Sequence, residues 1–192
     1  MIFVSLNPFA LKRFFFFLLA AIGFSCVSCF GQSVLLSVKS TPYDKQMSRI
    51  RPILFTKTLT AEQDVSLGMV NFWMGDLRSI PYGFTKEWKT PLETQSGAPA
   101  DCKAKAVALY EKMHARGVSN LRLVIGRRAL RSRCTHAWVE WGTETGTYVL
   151  DPTLNWRAYR GSDVGLRSYI PLYAFDGNSK FRAVPATLLA QN

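Results

Sequence analysis

The fold of this chain is decided by residues 101–117, which read Asp-Cys-Lys-Ala-Lys-Ala-Val-Ala-Leu-Tyr-Glu-Lys-Met-His-Ala-Arg-Gly. Asp101 is a good N-cap, the residues that follow are rich in helix formers, and Gly117 ends the run. Apolar residues recur at i, i+3, i+4 and i+7 and predict one buried stripe, made of Ala106, Leu109, Tyr110 and Met113. Cys102 lies one turn before this stripe, so we expect it on the buried face.

The position of Cys102 in the first helical turn suits a reactive thiol. The free backbone amides and the dipole at a helix N-terminus stabilise a negative charge, and therefore favour the thiolate form. Cys102 is accordingly the candidate nucleophile. Two other roles are open for Cys102. It could be a small buried apolar residue, or it could form a disulfide with Cys134, and such a pair could also be redox-active.

Three strand candidates follow the helix, at 121–125, 136–141 and 147–150. The last two are separated by Gly-Thr-Glu-Thr-Gly at 142–146, a composition typical of a hairpin loop. A helix followed by an antiparallel meander predicts an α+β fold. Upstream, we expect a strand over 34–38 and a helix that opens at Thr60, with Gln63 at the capping-box position, and runs to Trp73.

The hairpin suggests partners for Cys102. If the hairpin closes with Trp141 paired to Gly146, His136 lies directly opposite Asp151, and directly opposed Cβ atoms are about 5 Å apart. A carboxylate at that distance can hold an imidazole. If this face of the sheet packs on the N-terminus of the helix, the three groups form a nucleophile, a base and an orienting residue.

The amide of Cys102 is a natural oxyanion donor. A second donor is expected from the long loop over 79–100, which Pro and Gly residues interrupt. The candidates there are the indole N–H of Trp88 and the amide of Gln95.

Four ordered segments resemble the transglutaminase-like superfamily: Glu-Trp-Lys-Thr-Pro-Leu-Glu at 87–93, Gly-Ala-Pro-Ala-Asp-Cys at 97–102, Thr-His-Ala-Trp-Val-Glu at 135–140 and Val-Leu-Asp-Pro-Thr at 149–153. The first two segments are most similar to the bacterial transglutaminase-like cysteine peptidases. The resemblance implies a papain-like α+β core, in which an N-terminal catalytic helix packs on an antiparallel β-sheet. It also implies a Cys102, His136 and Asp151 triad that hydrolyses a peptide or other amide, or transfers an acyl group to an amine, through a thioester.

The chain departs from this family in one respect. Calcium-dependent members of the peptidase group have acidic residues beside the cysteine, whereas here Lys103 follows Cys102. A hard cation needs several oxygen ligands, so we predict no calcium. Zinc held by Cys102, Cys134 and His136 would lack paired-ligand spacing, and no metal or other cofactor is predicted.

The N-terminus predicts an export signal over residues 1–33 and a mature domain over 34–192. Lys12 and Arg13 precede an apolar run over 14–24, which is shorter than the roughly 20 residues of a spanning helix. Small residues follow, and cleavage after Gly31 or Ser33 is expected. The protein would then be periplasmic or extracellular, with membrane contact only through an uncleaved signal or through a lipid on Cys26 or Cys29.

Composition leaves a second function open. The 192 residues are 48% hydrophobic and 19% charged, which indicates a globular chain, and four cysteines are too few for a disulfide scaffold. The formal net charge of +11 includes a basic run just before His136, formed by Arg127, Arg128, Arg131 and Arg133. The main hypothesis expects a protein or peptide substrate. The alternative is a non-catalytic module that binds an anionic cell-envelope polymer, and no nucleic-acid motif is present.

Overall fold

A seven-stranded antiparallel sheet forms one layer of the molecule, and helices cover one of its faces. The computed structural model describes residues 33–55, 64–164 and 168–189. The strand order is β1-β7-β6-β2-β3-β4-β5. The strands are β1 (Ser33–Ser37), β2 (Leu121–Ala129), β3 (His136–Thr143), β4 (Gly146–Leu150), β5 (Tyr159–Arg160), β6 (Ser168–Asp176) and β7 (Ser179–Pro185).

The helices lie mostly before the meander in sequence. They are α1 (Arg51–Phe55), α2 (Leu67–Ser79), α3 (Pro91–Gln95), α4 (Cys102–His114) and α5 (Ala186–Leu189), and a 3₁₀ turn spans Gly161–Asp163. The predicted α+β architecture, with the cysteine-bearing helix packed on an antiparallel sheet, is therefore confirmed. No helix in the described ranges is long and apolar enough to cross a membrane.

Helix α4 is the centre of the core. All four residues of the predicted stripe are buried, and they pack with Leu123, Ile125 and Val139 on one face of the sheet. A second, smaller cluster forms on the opposite face around Val124 and Trp138. Strand side chains alternate between the two faces, so neighbours in sequence such as Val124 and Ile125 belong to different clusters.

The buried Lys105 fixes the position of α4 against α2. Its ammonium donates to the carbonyl oxygens of Ile80 (2.6 Å) and Arg78 (3.4 Å), at the C-terminal end of α2. Burial and the neighbouring charge of Arg78 lower the pKa of Lys105. A cation suits this place because the last carbonyls of a helix carry a partial negative charge and have no partner within the helix.

Two sequence expectations about the first half of the chain need correction. Helix α2 begins at Leu67, where Ser66 accepts a hydrogen bond from the amide of Met69 (3.3 Å), and residues 64–66 are not helical. The proposed cap at Thr60 and Gln63 lies outside the described residues. The expected loop over 79–100 contains α3, which begins with a reciprocal capping box between Thr90 and Glu93.

Candidate functional site

Cys102 is the first residue of α4, as the sequence predicts. The Asp101 side chain caps the helix through its Oδ1, which accepts from the amide of Ala104 at 3.1 Å. Cys102 is buried, with 8% of its surface exposed. Its side chain therefore lies at the positive end of the helix dipole and largely shielded from water.

His136 and Asp151 form a buried hydrogen-bonded pair. The Nε2 of His136 lies 2.8 Å from Oδ2 of Asp151, and the side chains are 12% and 0% exposed. His136 is the first residue of β3, and Asp151 directly follows β4. The predicted contact between the His136 and Asp151 side chains is thus present, at the end of the hairpin away from its turn.

The predicted register of the hairpin is wrong by two residues. Trp141 pairs with Tyr148 rather than with Gly146, and the turn falls at Glu144 and Thr145. The turn shifts because Gly146, with φ of +120°, provides the glycine conformation at its exit. An error of two preserves the face on which a side chain lies, so Asp151 still reaches His136, but diagonally.

The face of the sheet that carries His136 is not the one that packs along α4. Trp138, which stacks beside the His136 ring with centroids 6.2 Å apart, belongs to the cluster on the other face, whereas Ala137 and Val139 pack on the helix side. Because His136 begins its strand, its imidazole can reach the N-terminus of α4 around the end of the sheet. Gly126, its partner on β2, has no room for a Cβ atom, which would lie 2.4 Å from the Trp138 ring.

Asp151 hydrogen-bonds to the His136 side chain. Burial opposes a charge on the ring, but the interactions with Asp151 and, after it, Cys102 outweigh burial and raise the pKa of His136 to about 9. Since Nε2 faces Asp151, Nδ1 is the nitrogen that remains for Cys102. The arrangement therefore favours a protonated imidazole between a carboxylate and the sulfur.

Asp151 is held as a carboxylate by four donors. Burial raises its pKa, but hydrogen bonds led by that from His136 lower it below its ordinary value. Oδ2 also accepts from the Tyr169 hydroxyl at 2.8 Å, and Oδ1 accepts from the amides of Thr153 (3.0 Å) and Leu154 (3.3 Å). With its oxygens fixed in this way, Asp151 orients the ring of His136.

Tyr169 is a site residue that the sequence does not indicate. It lies on β6 with φ of +53°, an uncommon conformation for a residue with a side chain. Its hydroxyl donates to Asp151 and accepts from the side-chain amide of Asn155 (Nδ2) at 2.7 Å. Its ring packs edge-on against Trp138. No motif marks it, because its contact with Asp151 depends on how β6 pairs with β2.

Lys103 ties the loop before α4 to the cap of the helix. Its ammonium forms an ion pair with Oδ2 of Asp101, donates to the carbonyl of Thr85 at 2.9 Å and lies 5.0 Å from the centre of the Phe84 ring. The amide of Thr85 donates to the same Asp101 oxygen at 3.2 Å. Lys103 thus fixes the residue that precedes the cysteine.

The two proposed side-chain oxyanion donors differ in placement. Trp88 is 1% exposed and belongs to the same core cluster as Cys102, and its Nε1 has no hydrogen-bond partner among the described residues. Gln95 is exposed at the end of α3. Trp88 is therefore the better candidate of the two.

The two cysteines in the described part of the chain are both free thiols, Cys102 buried and Cys134 exposed. The alternative of a Cys102–Cys134 disulfide is not what the structure contains. Burial raises the pKa of Tyr82. Within the described ranges, no group of three or more His, Cys, Asp or Glu residues could hold a metal ion.

Comparison with known proteins adds information on the fold. No protein-family model matches the sequence, and no curated protein matches it. Among solved structures, the chain is similar to calcium-bound Legionella pneumophila LapG, with a TM-score of 0.53 and 17% identity over 74% of this chain and 81% of that one. EGTA-treated LapG gives a TM-score of 0.52 and 16% identity, with coverages of 79% and 87%. At this identity the likeness concerns the fold alone, and it shows that this chain shares the α+β fold of LapG, in agreement with the predicted architecture.

Proposed function

We propose that this protein is a cysteine hydrolase of the transglutaminase-like type, acting on a peptide or another amide. The observation that carries the proposal is the buried His136–Asp151 pair, with Nε2 at 2.8 Å from Oδ2, together with a Cys102 thiol that acts on the same imidazole. LapG, the fold relative, is a transglutaminase-like cysteine protease, which supports the same class of chemistry here.

The reaction follows from the roles of these groups. The Cys102 sulfur attacks the carbonyl carbon of the amide, and its proton resides on His136. Collapse of the tetrahedral intermediate breaks the C–N bond, and His136 gives its proton to the departing amine. Water, deprotonated by His136, then attacks the thioester and yields a carboxylate and the free thiol. An amine in place of water gives transamidation, and the same three residues serve either outcome.

The negative oxygen of the intermediate needs two donors. The backbone amide of Cys102 lies at the helix N-terminus, where no helical carbonyl accepts from it. The indole N–H of Trp88 is the second proposed donor, because it is buried in the same core cluster as Cys102 and has no hydrogen-bond partner among the described residues.

The rival function, a non-catalytic module on the same fold, does not account for the buried pair. Placing an imidazole and a carboxylate out of water is costly, and a hydrophobic pair of similar volume would often serve stability as well or better. A polymer-binding surface has no use for such a pair beside a thiol.

Export remains part of the proposal. The expected signal over residues 1–33 lies, apart from Ser33, outside the described residues. Ser33 begins β1 and pairs with Pro185, so cleavage after Gly31 would leave this strand whole, whereas cleavage after Ser33 would shorten it by one residue. The protein would act in the periplasm or outside the cell, with an uncleaved signal or a lipid anchor as the alternatives.

The test is hydrolysis of a fluorescence-quenched peptide library by the purified mature protein. Activity should be abolished by Cys102→Ala and retained by the matched variant Cys134→Ala. Peptide hydrolysis by the Cys102→Ala variant would contradict the proposal. So would a folded wild-type protein that hydrolyses no peptide under any condition tried.

A further inference from the structure

The segment that leads into His136 carries an unbalanced positive charge. It contains Arg127, Arg128, Arg131 and Arg133, and we call residues 127–133 the basic loop. No acidic residue occurs anywhere from 123 to 139. Arg127, Arg131 and Arg133 are exposed, and none of the four arginines takes part in an ion pair with the described residues.

The basic loop lies beside the triad. The guanidinium of Arg128 is 4.0 Å from the centre of the Tyr169 ring, and the hydroxyl of Tyr169 donates to Asp151 at 2.8 Å. Through Cys134 and Thr135 the loop runs directly into His136, the first residue of β3. One side of the site is therefore lined by this loop.

The carboxylates closest to the site cannot neutralise the loop. Asp101 is paired with Lys103, and Asp151 with His136. On the other side, the segment before α4 presents two aromatic side chains, Tyr82 at 60% and Phe84 at 76% exposure. The rim of the site thus offers apolar rings and guanidinium groups that have no ion-pair partner among the described residues.

We infer that the substrate is an acidic peptide, with Asp or Glu side chains close to the scissile bond. This inference rests on the proposed hydrolase function and specifies its substrate class. A guanidinium binds a carboxylate through two parallel hydrogen bonds, which makes arginine better suited to this recognition than lysine. Because Arg131 and Arg133 are exposed, their charges act mainly on the rate of association and are screened by salt.

The experiment compares two quenched peptides that share one cleavable core and differ only in flanking residues, Glu in one and Gln in the other. The wild-type protein should prefer the Glu peptide by about threefold to tenfold in kcat/KM at low ionic strength, the range expected of exposed charge pairs. High salt should remove the preference. The double variant Arg131→Gln/Arg133→Gln should lose it while it still hydrolyses the Gln peptide.

A matched control is Lys39→Gln. Lys39 is exposed and follows β1 beside Lys180, at the end of the sheet opposite His136, so its removal changes the net charge but not the rim. This variant should keep the preference.

Equal hydrolysis of both peptides by the wild type would overturn the inference and leave the hydrolase function standing. Failure to hydrolyse either peptide would count against both. Equal hydrolysis combined with arginine-dependent binding of dextran sulfate would overturn the acidic-peptide inference in favour of an anionic polymer.

Discussion

The Nε2 atom of His136 lies 2.8 Å from Oδ2 of Asp151, although the two residues are not paired in the β3–β4 hairpin. By the register of the hairpin, Asp151 lies two residues before the position opposite His136, and the imidazole reaches it along the diagonal. Four donors fix the carboxylate, so it can hold the imidazole in one orientation. The predictions that follow depend on this pair and its neighbours.

Asp151→Asn should lower kcat/KM by about a hundredfold or more, because the amide no longer stabilises the charged ring or selects its tautomer. In the wild type, activity should decline on the alkaline side near pH 9, where His136 loses its proton. In the variant this decline should move to lower pH. A pH profile of kcat/KM for both proteins checks the prediction, and an unchanged alkaline limb would contradict it.

The pH dependence of stability should include a contribution from Glu140. Burial raises the pKa of this residue to about 7 in the folded protein, from an ordinary value of 4.5. The folded state therefore holds the proton more tightly, so the contribution is fully present below pH 4.5 and is lost as the pH rises through 7. Glu140→Gln should remove this loss, because the amide oxygen can still accept from Trp138 Nε1.

Urea unfolding at pH 5 and at pH 8 measures the Glu140 effect. The variant should be more stable than the wild type at pH 8 and differ from it less at pH 5. If the wild type and Glu140→Gln lose the same amount of unfolding free energy between pH 5 and pH 8, Glu140 does not titrate in this range.

Tyr169→Phe should weaken the orientation of Asp151 without disturbing the packing of the ring. The variant loses one buried hydrogen bond and leaves the Asn155 amide without an acceptor, which should cost about 1–3 kcal/mol of unfolding free energy. We expect a fall in kcat larger than any change in KM, together with a shifted pH profile. Tyr173→Phe, on the same strand, is the matched control and should leave both unchanged.

Activity should not depend on calcium. The Lys103 ammonium bridges Asp101 and the Thr85 carbonyl, and no group of three or more His, Cys, Asp or Glu residues in the described ranges could hold a metal ion. EGTA should leave hydrolysis by the wild type unaffected. Lys103→Met should lower stability by about 1.5–3 kcal/mol, the range for hydrogen bonds to charged groups, and reduce activity with it.

Lys112→Met, near the other end of α4, is the control for Lys103→Met and should have a small effect on both quantities. Loss of wild-type activity with EGTA and its recovery with calcium would contradict the predicted independence from calcium.

Much of the fold could be predicted from local sequence signals. The helix over 102–114 and the strands on either side of the hairpin follow from periodicity, capping and turn composition, and these depend only on neighbouring residues. The alternation of a strand also places His136 and Asp151 on one face, even with the wrong register. The register itself depends on the φ value at Gly146, which the sequence alone did not determine.

The residues that the sequence did not indicate act over long separations. Tyr169 reaches Asp151 from a strand that pairs with β2, and Lys105 reaches the end of α2 across the core. Such contacts depend on the tertiary arrangement, which no local pattern of residues encodes. For the same reason, the sequence did not show that His136 meets Cys102 around the end of the sheet.

The most direct test is the rate at which iodoacetamide alkylates each thiol of the native protein, followed by peptide mass spectrometry at neutral pH. Cys102, beside a protonated His136, should react much faster than Cys134 despite being the more buried, and His136→Ala should abolish the difference. Equally slow alkylation of both thiols, or a Cys102 rate unaffected by His136→Ala, would contradict the proposed nucleophile.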